Sequence, residues 1–170
     1  MGIFDQIFRR RQQATVMSQL PQVEAAVANC VADFKERTKL SYAHIFPIMQ
    51  DVAVRLFVTD FGVQATRNHF EQLFKSFTDD GAAREDQYKN FGTPEIRPEE
   101  LPHTTELNAI LWRLSNDLVA RGCQMETVAS ALINISMKAA LKSGGPLYGI
   151  GLLFSSVKRL RAGVYGYGRA

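Results

Sequence analysis

One stretch constrains the fold more than any other. Between residues 124 and 143 the polar residues Glu126, Ser130, Asn134, Lys138 and Lys142 recur at every fourth position, and nearly all the rest are Val, Ala, Leu, Ile or Met. On a helix of 3.6 residues per turn, that spacing makes a single narrow polar strip. A helix apolar around most of its circumference must be covered on most sides, so it belongs at the centre of a domain or of an oligomer interface.

The rest of the chain supplies helices to cover it. Ile3, Phe4, Ile7 and Phe8 share one face of a short amphipathic segment within residues 1–20, and Arg9, Arg10 and Arg11 follow them. Pro21 suits the first position of a second helix, where its missing N–H has no partner to lose. Val23, Ala26, Val27, Cys30, Val31 and Phe34 then form an apolar stripe to about residue 38. Residues 41–60 fit a helix restarting at Pro47, although Val52–Thr59 is rich in β-branched residues. Helix is preferred, because no second strand stands nearby to pair with it. Gly62 punctuates, and Phe70, Leu73, Phe74 and Phe77 mark another helical face.

Residues 79–104 break the periodicity. Asp79-Asp80-Gly81 reads as a helix end, and Pro94, Pro98 and Pro102 exclude another long helix, leaving an acidic, proline-containing loop. Thr104 or Thr105 is expected to cap the next helix, whose core face is Leu107, Ile110, Leu111, Leu114 and Leu118, with Gly122 as its stop. Gly144-Gly145-Pro146 reads as stop, turn and restart before a last stripe of Leu147, Ile150, Leu153, Phe154, Val157 and Leu160. The tail 163–170 is too rich in Gly and Tyr for a regular element. The expected fold is therefore mainly α: a single-domain helical bundle spanning 1–170, with about six or seven helices around the apolar 124–143 helix. With 46% hydrophobic and 22% charged residues over 170 positions, the chain is too apolar for disorder and long enough to need no disulfide or metal.

Charge is unevenly placed. Residues 1–20 carry Arg9, Arg10 and Arg11 against Asp5, the 79–104 segment carries seven acidic and three basic residues, and the last 25 residues carry Lys158, Arg159, Arg161 and Arg169 with no acid. The net +3 results from cancellation between segments. Two cysteines, Cys30 and Cys123, stand far apart among apolar residues, which suits a reducing, cytoplasmic setting. No signal peptide is expected, since the apolar residues precede the arginines; Gln6 breaks the myristoylation pattern; and the apolar run 144–157 is too short to span a bilayer. Contact with a membrane, if any, is read as peripheral.

Candidate chemistry is sparse. His44, His69 and His103 lie outside helical reach of one another, so no metal site and no cofactor is expected. Cys30 sits on a core stripe, Cys123 lies in a helix junction without a signature around it, and no G-x-S-x-G occurs, so no residue is assigned as catalytic. Gly144, Gly145, Gly149 and Gly151 lack the phosphate-loop ending and read as punctuation and close packing.

The functional expectation is a non-enzymatic helical protein–protein interaction or assembly protein, self-associating or bound to a protein partner. Ile3, Phe4, Ile7 and Phe8 would be its apolar anchor, and Arg9–Arg11 its electrostatic support. The first alternative is an anion-binding protein for nucleic acid or an acidic membrane surface, using both basic ends. There Lys158, Arg159, Arg161 and Arg169 would pair with phosphates while Tyr165 and Tyr167 stack. The second is a small helical enzyme or apolar-ligand carrier using the phenylalanine-dense half from Phe34 to Phe77.

Overall fold

The computed structural model describes residues 3–77, 81–88, 91–92 and 94–166; for residues 3–13 and 81–84 it describes the backbone alone. Among the described residues six α-helices follow in order: α1 (Ile3–Thr38), α2 (Tyr42–Phe61), α3 (Val63–Ser76), α4 (Gly81–Tyr88), α5 (Leu101–Ala120) and α6 (Met125–Arg161). No strand occurs among the described residues, and the arrangement is a helical bundle.

The first arm of α6 occupies the centre, as its apolar girth requires. Val128, Ala129, Ala131, Leu132, Met137 and Ala140 are buried, whereas the residues of the polar strip are half-buried or exposed. That strip meets α1: Asn134 Nδ2 donates to Glu24 Oε1 at 2.9 Å, and Lys138 Nζ stands 3.4 Å from Glu24 Oε2. α1 runs antiparallel to α5. The Gln19 amide spans Gly122 O and Gln124 N at one end, and Arg37 pairs with Glu106 at 2.8 Å at the other.

α2 is the principal partner of α6, and α3 and α4 close over the second arm of α6. There the Phe74 ring stacks on Phe154, centroids 4.9 Å apart, with Tyr88 of α4 edge-on to Phe74 at 6.0 Å. A single core cluster runs from Val23 to Tyr165 and includes the predicted stripe residues Val23, Val27, Val31 and Phe34.

Prolines produced most of the differences from expectation. Pro21 does not start a helix: α1 runs through it without a break. The carbonyl that Pro21 deprives of a partner belongs to Met17, which is 68% exposed, so water can satisfy it. Pro47 likewise lies inside α2, whose true start is Tyr42, where the Ser41 hydroxyl accepts from the Ala43 N–H at 3.2 Å. The helical reading of 41–60 holds, and the strand reading does not.

Pro102 sits in the first turn of α5, where its fixed φ is already helical, so this helix begins at Leu101. Thr104 and Thr105 are therefore not caps. Both hydroxyls donate to the Leu101 carbonyl, at 2.9 and 3.0 Å. The 79–104 segment is also not wholly a loop, since it contains α4 and the first residues of α5.

The glycine readings fare better. Gly62 and Gly122, at φ 82° and 94°, separate α2 from α3 and terminate α5. Gly145, at φ 73° and ψ −176°, breaks α6 where the stop-and-restart reading placed it, and Pro146 opens the second arm. Beyond Arg161 the described residues form turns, with Gly163 at φ 73°.

Candidate functional site

Three of the expected anion contacts at the C-terminus are engaged with acidic side chains of the same chain. Arg161 donates to both carboxylate oxygens of Glu85, at 3.1 and 3.0 Å, and through Nε to Glu71 at 3.0 Å. Arg159 reaches Asp51 Oδ1 at 3.0 Å. Tyr165 is 8% exposed; its hydroxyl donates to the same oxygen at 2.9 Å, and its ring lies between the guanidinium groups of Arg55 and Arg159, 5.3 and 5.2 Å from its centroid. Arg55 Nε completes the cluster at 2.9 Å from Asp51 Oδ2.

Burial and the Asp51 carboxylate push the Tyr165 phenol well above its ordinary range, so it remains a donor. Lys158 is exposed, while Tyr167 and Arg169 lie outside the described residues. At the other end, Ile3, Phe4, Ile7, Phe8 and Arg9–Arg11 belong to the opening turns of α1; their side chains are outside the described residues.

A roomy apolar recess lies elsewhere. Ala28, Val31 and Ala32 of α1, Tyr42 and Phe46 of α2, and Ile135, Ala139, Lys142 and Ser143 of α6 enclose an open groove of about 510 Å³. Its construction follows from residue size. Ala28 and Ala32 are exposed on α1 and Ala139 is half-buried on α6, so the two helices leave space where larger side chains would have filled it. Phe46, 2% exposed, floors the groove, and Tyr42, 42% exposed, stacks on it with centroids 5.0 Å apart.

Two cations border this recess. Lys35 Nζ lies 4.7 Å over the Tyr42 ring, and Lys142 is an exposed lining residue. Among the described residues no acid, histidine or cysteine lines the groove, so its chemistry is packing with a basic margin. Sequence reasoning passed over Ala28, Ala32, Tyr42 and Ala139. The only signal was the run of alanines at 25, 26, 28 and 32, which also suits an ordinary helix surface.

Among the described residues, no group of three or more His, Cys, Asp or Glu is placed to hold a metal ion, and no helix is long and apolar enough to cross a membrane. Comparison of the chain with protein-family models, with curated proteins and with solved structures finds no match.

Proposed function

We propose that this protein is a helical interaction protein whose α1–α2–α6 groove receives an amphipathic helix of a partner protein, apolar on one face and acidic beside it. The observation that carries this reading is the groove itself: an open apolar trough with Phe46 at its base and lysines as its nearest charges. Helix-in-groove recognition uses apolar anchors at three-and-four spacing, and complementary charge sets orientation and encounter rate. The same charge argues against a second copy's N-terminal segment as occupant, because Arg9–Arg11 would approach Lys35 and Lys142. The two free cysteines suit a reducing compartment, so the cytoplasm is the proposed setting.

A photo-cross-linking residue placed at exposed position 32 in cells tests this. The expected adduct maps to an amphipathic, acid-bearing helical segment of another protein, and Lys35→Glu with Lys142→Glu reduces it about tenfold or more. Adducts confined to residues 3–8 of a second copy, or yields indifferent to charge reversal, would overturn the reading.

A further inference from the structure

A second recess carries a different chemistry. It opens between α2, the 94–96 segment, the start of α5 and the second arm of α6, with a volume of about 370 Å³. A smaller cavity of about 210 Å³, lined by Gln50, Leu152 and Ser156, shares Pro47, Asp51 and Arg159 with it. We propose that this continuous cleft binds a small organic carboxylate, its carboxylate near Arg159 and its apolar body against Pro47, Ile48, Pro94 and Ile96.

Three observations converge on this. Two deeply buried polar side chains on the walls carry unused hydrogen-bonding atoms. His44 is 8% exposed and neither ring nitrogen has a hydrogen-bond partner within the protein; its Nδ1 lies 3.7 Å from Glu100 Oε1, beyond hydrogen-bond range. Gln50 is 1% exposed; its Oε1 accepts from Ser156 at 2.9 Å, but its Nε2 is unmatched. Buried groups without partners cost about 1–3 kcal/mol each, so two of them on residues that line adjoining recesses mark a place where a polar ligand would lower that cost.

The second observation is the charge balance. Asp51, the carboxylate on the cleft wall, is already held by Arg55, Arg159 and Tyr165, and Glu100, 3.7 Å from His44, is held by Arg97 at 2.8 Å. Asp51 alone is matched by two guanidinium groups, so the cluster keeps a positive excess. Arg55 and Arg159 are equally exposed, each side chain 45% accessible, and of the two it is Arg159 that lines the cleft. The third is shape: an apolar wall opposite a forked cation selects a carboxylate carrying a hydrocarbon body over a bare ion.

Titration of the full-length protein with benzoate, benzamide and inorganic phosphate, followed by the His44 imidazole NMR signals, tests the proposal. Benzoate is expected to shift them saturably with a Kd of about 1 mM or tighter, and benzamide to bind about tenfold or more weakly, the value of one charge-assisted hydrogen bond. Arg159→Gln should remove that preference. Because Arg159 also braces Tyr165, Thr105→Trp, a change at an exposed position on the cleft wall, provides a second variant, expected to abolish the shift in a protein whose remaining spectrum is unchanged. Equal binding of benzamide, tighter binding of phosphate, no saturable shift, or a benzoate response that survives Thr105→Trp would overturn it.

Discussion

Arg161, near the C-terminal end of the bundle, grips Glu85 with two parallel N–H···O bonds of 3.1 and 3.0 Å. The contact joins the basic C-terminal segment to the acidic 79–104 segment within one chain, so the separated charges are partly spent on each other. Both side chains keep about a third of their surface exposed, at 33% and 32%, so solvent screens the pair.

Arg161→Ala should therefore destabilise the protein by about 1 kcal/mol at low salt, because two carboxylates lose one shared partner. The loss should shrink near 1 M salt, where the Debye length falls to about 3 Å. Arg161→Lys should recover little, since an ammonium cannot form the fork. Urea unfolding of the three proteins at two salt concentrations measures this. A deficit independent of salt would show that packing of the arginine stem outweighs its charge.

Acid should weaken the junction before α5. The Arg97 guanidinium and backbone N–H both donate to Glu100 and hold its carboxyl down to about 2, against an ordinary 4.5. A lowered folded-state value means the folded protein binds that proton less readily than the unfolded chain does. The contribution is complete above about pH 4.5 and fades as pH falls toward 2. Glu100→Gln should thus be less stable than wild type near pH 6, and the gap should close near pH 2.5, as read by denaturant midpoints. A constant gap would contradict this assignment.

Phe154→Ala should cost about 3–5 kcal/mol, because its ring stacks on Phe74 and touches Tyr88, so truncation leaves a cavity under α3 and α4 together. Hydrogen exchange should show α4 losing protection first, since Tyr88 is, among its described side chains, the one in the core. If α4 retained its protection in a destabilised variant, Tyr88 would not be its tether.

Glycine replacements should separate by cause. Gly145→Ala forces a Cβ onto a residue at φ 73° and should cost about 1–2 kcal/mol through backbone strain. Gly151→Ala meets the Phe91 ring at 2.4 Å and should cost about 1–3 kcal/mol through displacement of that ring. Phe91 precedes Pro94 and Ile96, so the second change should also weaken benzoate binding. Gly92→Ala, with open space around its Cβ, should be near neutral. Thermal unfolding of the three variants distinguishes these effects.

The helices were legible wherever apolar spacing was strong, as in the stripe from Val23 to Phe34 and the girth of 124–143. α4 escaped notice because eight residues, with Tyr88 as the core anchor among the described side chains, leave no periodicity to see. Pro21 misled because proline's cost depends on whether the deprived carbonyl meets water, and that is a property of the packed molecule. The groove and the cleft were illegible for a simpler reason. Ala28 and Ile135, or His44 and Arg159, become neighbours only when distant helices pack, and none of these residues stands out in its own segment. The uneven charge was legible too, and Arg161–Glu85 joins one basic and one acidic segment of that pattern.

The break at Gly145 has a mechanical consequence. Unbroken, α6 would be one rod about 55 Å long, and a tilt at either end would be felt at the other. Gly145 and Pro146 divide it into two levers, one lining the groove up to Ser143 and the other lining the cleft from Leu152 to Arg159. Strain introduced by an occupant on one lever can relax at the joint, so each recess can be loaded without bending the other out of shape.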